Sequence, residues 1–248
     1  ASANFINNNQ ELSTVSSNYV KTGKIMKYNN CYYILDIGNN ALIKTDVPAI
    51  AQEEGNSGYD FDTPLKWSRL GEVIVGENGY DNNGYSVSLS SDGTIVAIGA
   101  PYNDDGGNNS GHVRVYQYAN NTWTQMGSDI DGEAVSDRSG FSVSLSSDGS
   151  KVAIGAFFND GGGSDSGNVR VFQYANNAWT QLGSDIDGEA ADDNSGWSVS
   201  LSGDGTILAI GAPYNDDGGN RSGHVRVFQY ANNAWTQLGS DIDGEAAD

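Results

Sequence analysis

Several residue types are scarce in this chain of 248 residues, and each scarcity excludes a class of protein. Cys31 is the one cysteine, so neither an internal disulfide framework nor a cysteine-rich metal site can form. Lysine and arginine number 12 against 32 acidic residues, and the net charge of −20 would repel the phosphates of nucleic acid and of anionic membranes. No stretch approaches the roughly 18–20 apolar residues that span a bilayer. We therefore expect no nucleic-acid partner and no membrane insertion.

Glycine is abundant instead, with 33 residues, and asparagine and serine accompany it. This composition favours short β-strands joined by tight turns over a helical protein. The acidic surface would attract divalent cations or basic partners, and it would equally serve solubility in salty surroundings.

The chain repeats itself with a fixed period. One tryptophan marks each copy at a spacing of 56 residues, at positions Trp67, Trp123, Trp179 and Trp235. Three copies are complete and a fourth is partial, at residues 67–122, 123–178, 179–234 and 235–248. Self-similarity of this kind indicates stacked equivalent units.

Each copy predicts four antiparallel strands. Residues 85–90 alternate apolar residues with serine, the period of two of a strand. Residues 94–100 are almost wholly apolar, which predicts a strand buried on both faces. The third and fourth strands are expected at 112–118 and 123–130. Tight turns at 91–93 and 120–121, a long Gly-rich loop at 101–111 and a crossover at 131–139 connect the strands.

We therefore predict an all-β fold of tandem four-stranded antiparallel blades, like those of a β-propeller. A β-sandwich would explain the strand count but not the recurrence. Known propellers close with about four to eight blades, so three copies call for further repeats, a partner chain or closure by the N-terminal strands. Exposed blade faces predict self-association or contact with neighbouring repeats.

Three motifs give the copies a family resemblance. They are the aromatic-Ser-Val opening at Tyr85, Phe141 and Trp197, the Ala-Ile-Gly-Ala-Pro run at 97–101 and 209–213, and the Gly-x-Val-Arg-Val-aromatic strand at 111–116, 167–172 and 223–228. These motifs resemble FG-GAP repeats, the blades of the integrin α-chain type β-propeller. The resemblance implies the fold but no single function, because related propellers serve adhesion, ligand binding and scaffolding.

The copies depart from that family in two places. Phe157 replaces proline in the second copy. Calcium-binding members carry a long Asp-rich loop between the first two strands, whereas this chain has only Ser91, Asp92 and Gly93 there. The resemblance therefore implies no calcium site in that loop.

A different acidic cluster follows the fourth strand and predicts a calcium site. Its carboxylates, at relative positions 1, 3, 5 and 9, could converge on a hard cation that takes six to eight oxygens. The predicted ligands are Asp129, Asp131, Glu133 and Asp137, and in the next copy Asp185, Asp187, Glu189 and Asp193. The first copy has Val73 and Val75 at the two aspartate positions, and solvated turn carboxylates are the alternative.

Other polar groups favour structural roles. The loop at 103–108, with its equivalent at 215–217, is a second candidate site, but its Asn and Asp residues satisfy their own backbone in turns, which favours a structural role. His112 and His224 occupy equivalent strand positions, with Asn168 between them, and are interpreted as ordinary strand residues. The sequence has no nucleophile elbow, phosphate loop or metalloprotease motif, so we expect no enzymatic activity. A site assembled from scattered loops would escape this reasoning.

Recurrent aromatic residues are expected to pack between blades, with carbohydrate stacking as the alternative. Three glycosylation sequons begin in predicted loops, at Asn108, Asn120 and Asn220. Before the repeats, we predict a flexible or extended arm at 1–15, a small β region at 16–50 with strands at 19–28, 31–36 and 41–47, and a linker at 51–66.

Two functions are consistent with these observations. The first is an extracellular or cell-surface, non-enzymatic structural or adhesive repeat protein, for example a filament or surface-appendage subunit. The alternative is a soluble module that binds glycan or protein through its loops. An enzyme of unknown chemistry is a third and weaker hypothesis.

Overall fold

A computed structural model describes residues 69–245 and, before them, five strands. The chain divides into two units, residues 1–68 and 69–248. In the first unit, β1 (Asn4–Asn7) pairs antiparallel with β2 (Gln10–Thr14). A three-stranded antiparallel sheet contains β3 (Ile25–Tyr28), β4 (Cys31–Asp36) and β5 (Ala41–Thr45). The predicted linker at 51–66 lies outside the described residues.

The second unit consists of three successive antiparallel sheets with one strand pattern, called blades 1, 2 and 3 here. Blade 1 contains β6 (Ser86–Leu89), β7 (Ile95–Ala100), β8 (His112–Ala119), β9 (Thr122–Gln125) and β10 (Ile130–Asp131). Blade 2 contains β11 (Ser142–Leu145), β12 (Lys151–Ala156), β13 (Asn168–Ala175), β14 (Ala178–Gln181) and β15 (Ile186–Asp187). Blade 3 contains β16 (Ser198–Leu201), β17 (Ile207–Ala212), β18 (His224–Ala231), β19 (Ala234–Gln237) and β20 (Ile242–Asp243). The predicted all-β architecture of tandem four-stranded blades is confirmed.

The fourth strand of each blade is interrupted, although the sequence predicted one continuous strand. β9 and β10 both pair with β8 on the edge away from β7, so they are two pieces of one outer strand. Between them, the Met126 amide still donates to the Val115 carbonyl at 2.8 Å. Gly127 follows with φ of 72°, a left-handed conformation that glycine adopts at little cost. This glycine ends the first piece.

Two turn predictions are confirmed by the backbone. Asn120 and Asn121 have φ of 52° and 64°, the left-handed pair of a type I′ hairpin turn between β8 and β9. Asp92 holds the turn between β6 and β7, since its Oδ1 accepts hydrogen bonds from the Thr94 amide at 2.9 Å and the Ser90 hydroxyl at 2.7 Å. These hydrogen bonds, the Thr94 amide first, lower the pKa of Asp92.

The boundary of the sequence repeat lies inside the blade. In each sheet, the first three strands belong to one copy of the sequence repeat, and the outer strand belongs to the next copy along the chain. Consequently the partial fourth copy supplies β19 and β20, the outer strand of blade 3.

Consecutive blades pack face to face, as a strand buried on both sides requires. All six residues of β7 are buried, and so are five of the six in β12. One apolar cluster joins the back face of blade 1 to the front face of blade 2. Its blade 1 members are Ile95, Ala97, Val113, Val115, Met126 and Ile130, and its blade 2 members are Leu145, Val152, Ile154 and Phe172. A second cluster joins the back face of blade 2 to blade 3 in the same way.

The inner strands of neighbouring blades are joined by the serines that alternate with apolar residues. Ser86 Oγ donates to the Gly140 carbonyl at 2.7 Å, and the Leu145 amide donates to Ser88 Oγ at 2.9 Å. The backbones approach so closely that a Cβ at Gly99 would overlap the Gly140 carbonyl oxygen. The glycine of the Ala-Ile-Gly-Ala motif is therefore required by the next blade.

The recurrent tryptophan and arginine each donate a hydrogen bond to the outer strand of the preceding blade. Trp179 Nε1 donates to the Met126 carbonyl at 2.7 Å, and Arg170 Nη2 donates to the Asp131 carbonyl at 2.7 Å. Equivalent bonds recur at the other two copies. The period of 56 residues thus preserves contacts between blades as well as within them.

Candidate metal centre

Two clusters of potential metal ligands occupy equivalent places in blades 1 and 3. Cluster 1 consists of Glu77, Asp105, His112 and Asp129, and cluster 3 of Glu189, Asp217, His224 and Asp241. In each cluster, one ligand atom from every residue lies within 4.8 Å of the others. The four ligands come from the crossover before the blade, the loop between the second and third strands, the first residue of the third strand and the interruption in the outer strand.

The histidine forms the buried end of each cluster. The His112 side chain is 1% exposed, and its Nδ1 lies 3.6 Å from Asp129 Oδ2 and 3.9 Å from Glu77 Oε2. Both distances exceed a hydrogen bond, and Nδ1 has no hydrogen-bond partner among the described residues. His224 repeats this arrangement. A buried polar atom without a partner is costly, so the Nδ1 atom is available to a metal ion or a water molecule.

Two carboxylates around His112, those of Glu77 and Asp129, each use one oxygen elsewhere and direct the other toward the imidazole. Glu77 Oε1 lies 3.5 Å from Arg114 Nη1, while Oε2 faces His112. Asp129 Oδ1 accepts a hydrogen bond from Gln125 Nε2, while Oδ2 faces His112. Cluster 3 has the same supporting arginine and glutamine. Outer contacts of this kind orient metal ligands in proteins.

Blade 2 has a different arrangement at the equivalent place. Asn168 replaces the histidine and Gly161 replaces the loop aspartate. Asn168 Nδ2 donates to Glu133 Oε2 at 3.3 Å, so the amide reaches a carboxylate directly. Asp185 occupies the outer-strand position and accepts from Gln181. Blade 2 therefore keeps two carboxylates but lacks the imidazole.

The predicted calcium ligands are distributed over several blades. Asp129 belongs to cluster 1 and Glu189 to cluster 3, whereas Glu133 and Asp185 lie together at the blade 2 position. Within residues 69–245, the clusters combine carboxylates from different copies rather than the four of one copy. The sequence spacing could not reveal this, because Asp129 and Glu133 serve successive blades.

The remaining predicted ligands have other contacts. Asp137 is buried, and its Oδ2 accepts from the Ala134 amide and Asn159 Nδ2, both at 2.9 Å. Asp193 is held in the same way in the next copy. The backbone carbonyls of Asp131 and Asp187 accept from arginines, and burial, followed by the neighbouring aspartate charge, raises the pKa of both side chains.

The loop at 103–108 contains residues with structural hydrogen bonds and one ligand of cluster 1. Asn103 is fully buried and its Oδ1 accepts from the Asp105 amide at 2.9 Å. Asp104 Oδ1 accepts from the Asn109 amide at 2.7 Å. The Asp105 carboxylate joins cluster 1. Sequence reasoning overlooked one signal, namely that this aspartate and His112 are replaced together in the second copy.

Two further sets of predicted residues lie at the surface. The sequon residues Asn108, Asn120 and Asn220 are all exposed. The aromatic residues that open the inner strands form a row, with ring centroids 4.8 Å apart for Tyr85 and Phe141 and 5.0 Å apart for Phe141 and Trp197. Tyr85 and Trp197 are partly exposed, so the row is accessible at both ends.

The family comparison identifies the repeats. Residues 76–116 and 185–228 match the family model of the FG-GAP repeat. The chain contains FG-GAP repeats. The two matched segments include three of the four ligands of each cluster, so both clusters belong to the FG-GAP blades themselves.

Two solved structures are similar to this FG-GAP repeat chain. Hydrazine synthase of Kuenenia stuttgartiensis shows 10% identity and a TM-score of 0.42, over 87% of this chain and 44% of that one. Sqt1 of Saccharomyces cerevisiae shows 15% identity and a TM-score of 0.43, over 67% of this chain and 37% of that one. The chain thus spans less than half the length of either. No curated protein matches the sequence. Among the described residues, no helix has the length and apolarity needed to cross a membrane.

Proposed function

We propose that this FG-GAP repeat protein is a non-enzymatic structural and adhesive module that acts outside the cell and associates blade on blade, with neighbouring repeats or with further copies of itself. The observation that carries the proposal is the exposed back face of blade 3. The same face is buried in blades 1 and 2.

The exposure of the blade 3 face is clear when equivalent residues are compared. Ile242 is 62% exposed, whereas Ile130 is 5% and Ile186 is 6% exposed. Val225 and Leu238 are exposed as well. Fully burying a side chain of this size contributes about 1.5–3 kcal/mol, so three of them offer a substantial driving force for association.

The front face of blade 1 has the matching exposure. Leu89 is 60% exposed, whereas its equivalents Leu145 and Leu201 are 7% and 8% exposed against the blade before them. Front and back faces already fit each other at two places within this molecule. A second copy of the chain therefore carries a face of suitable shape and chemistry for blade 3. Such a head-to-tail contact uses different surfaces on the two partners, and it produces filaments unless a ring closes.

The backbone at blade 3 supports the same pairing. In blades 1 and 2, Gly99 and Gly155 receive the glycine carbonyl of the next blade, and a Cβ at either position would overlap that carbonyl. The equivalent Gly211 meets only Ser198 of its own blade. The space that accepts a neighbouring carbonyl is therefore present at Gly211 as well.

Sedimentation velocity over a wide concentration range tests the proposal. We expect the wild-type chain to form oligomers that grow with concentration. Gly211→Ala should fold once the Ser198 hydroxyl rotates away from the added methyl group, but it should associate weakly, because the methyl group fills the space for the incoming carbonyl. Gly79→Ala is the matched control, since nothing lies within 4 Å of its added Cβ. A wild-type chain that stays monomeric at every concentration would show that the proposal is wrong.

A soluble glycan-binding module is the second candidate, and the accessible aromatic row favours it. Rings at the surface can stack on sugar faces. Screening the monomeric Gly211→Ala chain and its Trp197→Ala derivative on an oligosaccharide array tests this candidate. Binding that depends on Trp197 would support it.

Calcium binding near the crossovers belongs to the same proposal. The charge of Asp129 contributes to the raised pKa of Asp131, and that of Asp185 contributes likewise at Asp187. A divalent cation would relieve the repulsion within each pair. Isothermal titration with calcium should give heat that Asp131→Asn and Asp187→Asn reduce, and the absence of heat at millimolar calcium would exclude it.

A further inference from the structure

The three copies differ at the metal-ligand positions in a paired way. The crossover glutamate and the outer-strand aspartate are present in all three. The histidine and the loop aspartate are present in blades 1 and 3, and both are absent from blade 2, which has Asn168 and Gly161. These two residues lie in different elements, seven positions apart, and meet only at the cluster. The second copy also changes other residues of this loop, among them Phe157 and Ser164, but at both metal-ligand positions it lacks the ligand side chain.

The donor set identifies the chemical class of that ligand. Calcium and magnesium prefer sites made only of oxygen, whereas an imidazole nitrogen beside carboxylates suits zinc and similar transition metals. His112 Nδ1 is buried, has no hydrogen-bond partner among the described residues and faces two carboxylate oxygens. We propose that clusters 1 and 3 each bind a divalent transition-metal ion of the zinc class, and that blade 2 lacks this site.

The ligand atoms of cluster 1 need to move only a short distance toward one another to bind a zinc ion. Ligand atoms around a tetrahedral zinc ion lie about 3.3–3.5 Å apart, given bonds of about 2.0–2.1 Å. The ligand atoms of cluster 1 lie within 4.8 Å of one another, and His112 Nδ1 is 3.6 Å from Asp129 Oδ2. Glu77 and Asp105 are exposed side chains that can move inward, while the histidine is fixed by its burial.

Charge supports a cation at this place. Three carboxylates surround the imidazole, and Arg114 is the cation that contacts Glu77. Glu77 keeps Oε1 on the arginine and has Oε2 for the metal, and Asp129 keeps Oδ1 on Gln125 and has Oδ2 for the metal. The bound ion would join four segments of blade 1, so it should also raise the melting temperature.

Blade 2 provides both a control and a constructive test. Asn168 occupies a buried position equivalent to His112, so His112→Asn and His224→Asn place in blades 1 and 3 a residue that this fold already accommodates. Conversely, Gly161→Asp with Asn168→His recreates the complete ligand set in blade 2. A Cβ added at Gly161 meets the ends of the Asp187 and Asn159 side chains. Asn159 accepts a hydrogen bond from the Gly161 amide, as Asn103 does from the Asp105 amide in blade 1.

Isothermal titration of the chelator-treated full chain with zinc chloride measures the stoichiometry. We expect two zinc ions per chain, one in either single histidine variant, none in the double variant and three in Gly161→Asp/Asn168→His. Cobalt(II) should give the intense visible bands of a tetrahedral site in the wild-type chain and lose them in the double variant. Circular dichroism confirms that each variant is folded.

Three results would overturn the proposal. The wild-type chain could give no zinc heat. Zinc heat could persist unchanged in the double histidine variant, which would assign it to the acidic surface, because the chain contains only two histidines. Calcium could bind with the same histidine dependence and displace zinc at equal concentration, which would exclude the transition-metal class.

Discussion

The leucine that ends each inner strand provides a matched test of face-to-face packing. Leu145 is buried between blades 1 and 2, whereas Leu89 occupies the same position in blade 1 and is 60% exposed. Leu145→Ala removes buried methyl groups and leaves a cavity, which costs about 2–5 kcal/mol. In a unit of this size each kcal/mol lowers the melting temperature by about 2–4 °C, so the total decrease should be about 4–20 °C.

Leu89→Ala is the control because it has the same chemistry, motif and strand. At low concentration it should change the unfolding free energy by about 0.5 kcal/mol or less, as surface substitutions do. Thermal melting followed by circular dichroism, at a concentration where the chain is monomeric, compares the two variants. Equal destabilisation by both would refute the packing of blade 2 on blade 1. At concentrations where copies associate, Leu89→Ala should weaken association.

Three other outcomes follow from contacts between and within blades. Gly99→Ala should destabilise the chain by about 1–3 kcal/mol in urea unfolding, because its Cβ overlaps the Gly140 carbonyl, and an unchanged midpoint would contradict the close approach. Trp179→Phe should cost about 1 kcal/mol, because Met126 loses the indole donor, and a neutral effect would contradict that bond. Burial raises the pKa of five carboxyl groups, so their stabilising contribution is present below pH of about 4 and is lost as pH rises through the raised values. The five groups are Asp131, Glu133, Asp137, Asp165 and Asp187. The melting temperature should therefore fall as pH rises from about 4 through the raised pKa values of these groups, and calorimetry that shows a rise would contradict this sign.

Much of the blade could be predicted because local chemistry determines it. The alternation at Ser86–Leu89, the apolar run at Ile95–Ala100 and the Asn120-Asn121 turn each predict one structure from neighbouring residues. The break at Gly127 was missed, because a glycine between apolar residues is compatible with a continuous strand. The interblade role of Ser86 was missed as well, since its partner Gly140 lies in the next copy.

The candidate metal centre was mostly hidden from the sequence. Spacing along the chain predicted a site made by Asp129, Asp131, Glu133 and Asp137, but Asp129 and Glu133 contribute to successive blades. His112 was interpreted as an ordinary strand residue. Its partner Glu77 is distant in sequence, and its partner Asp105 lies in the preceding loop rather than in the strand. Only the comparison between copies, with Asn168 and Gly161 in the second, carries this information in the sequence.

The offset between repeat and blade affects how such a chain can lengthen during evolution. A duplicated stretch of 56 residues supplies the outer strand of the preceding sheet. It also supplies three strands of a new sheet, and the outer strand of that sheet must come from the next repeat. Each gene duplication therefore leaves the sheet at its C-terminal end dependent on the next unit. A lineage can add units freely, but a unit that begins at the tryptophan cannot be transplanted alone into another protein.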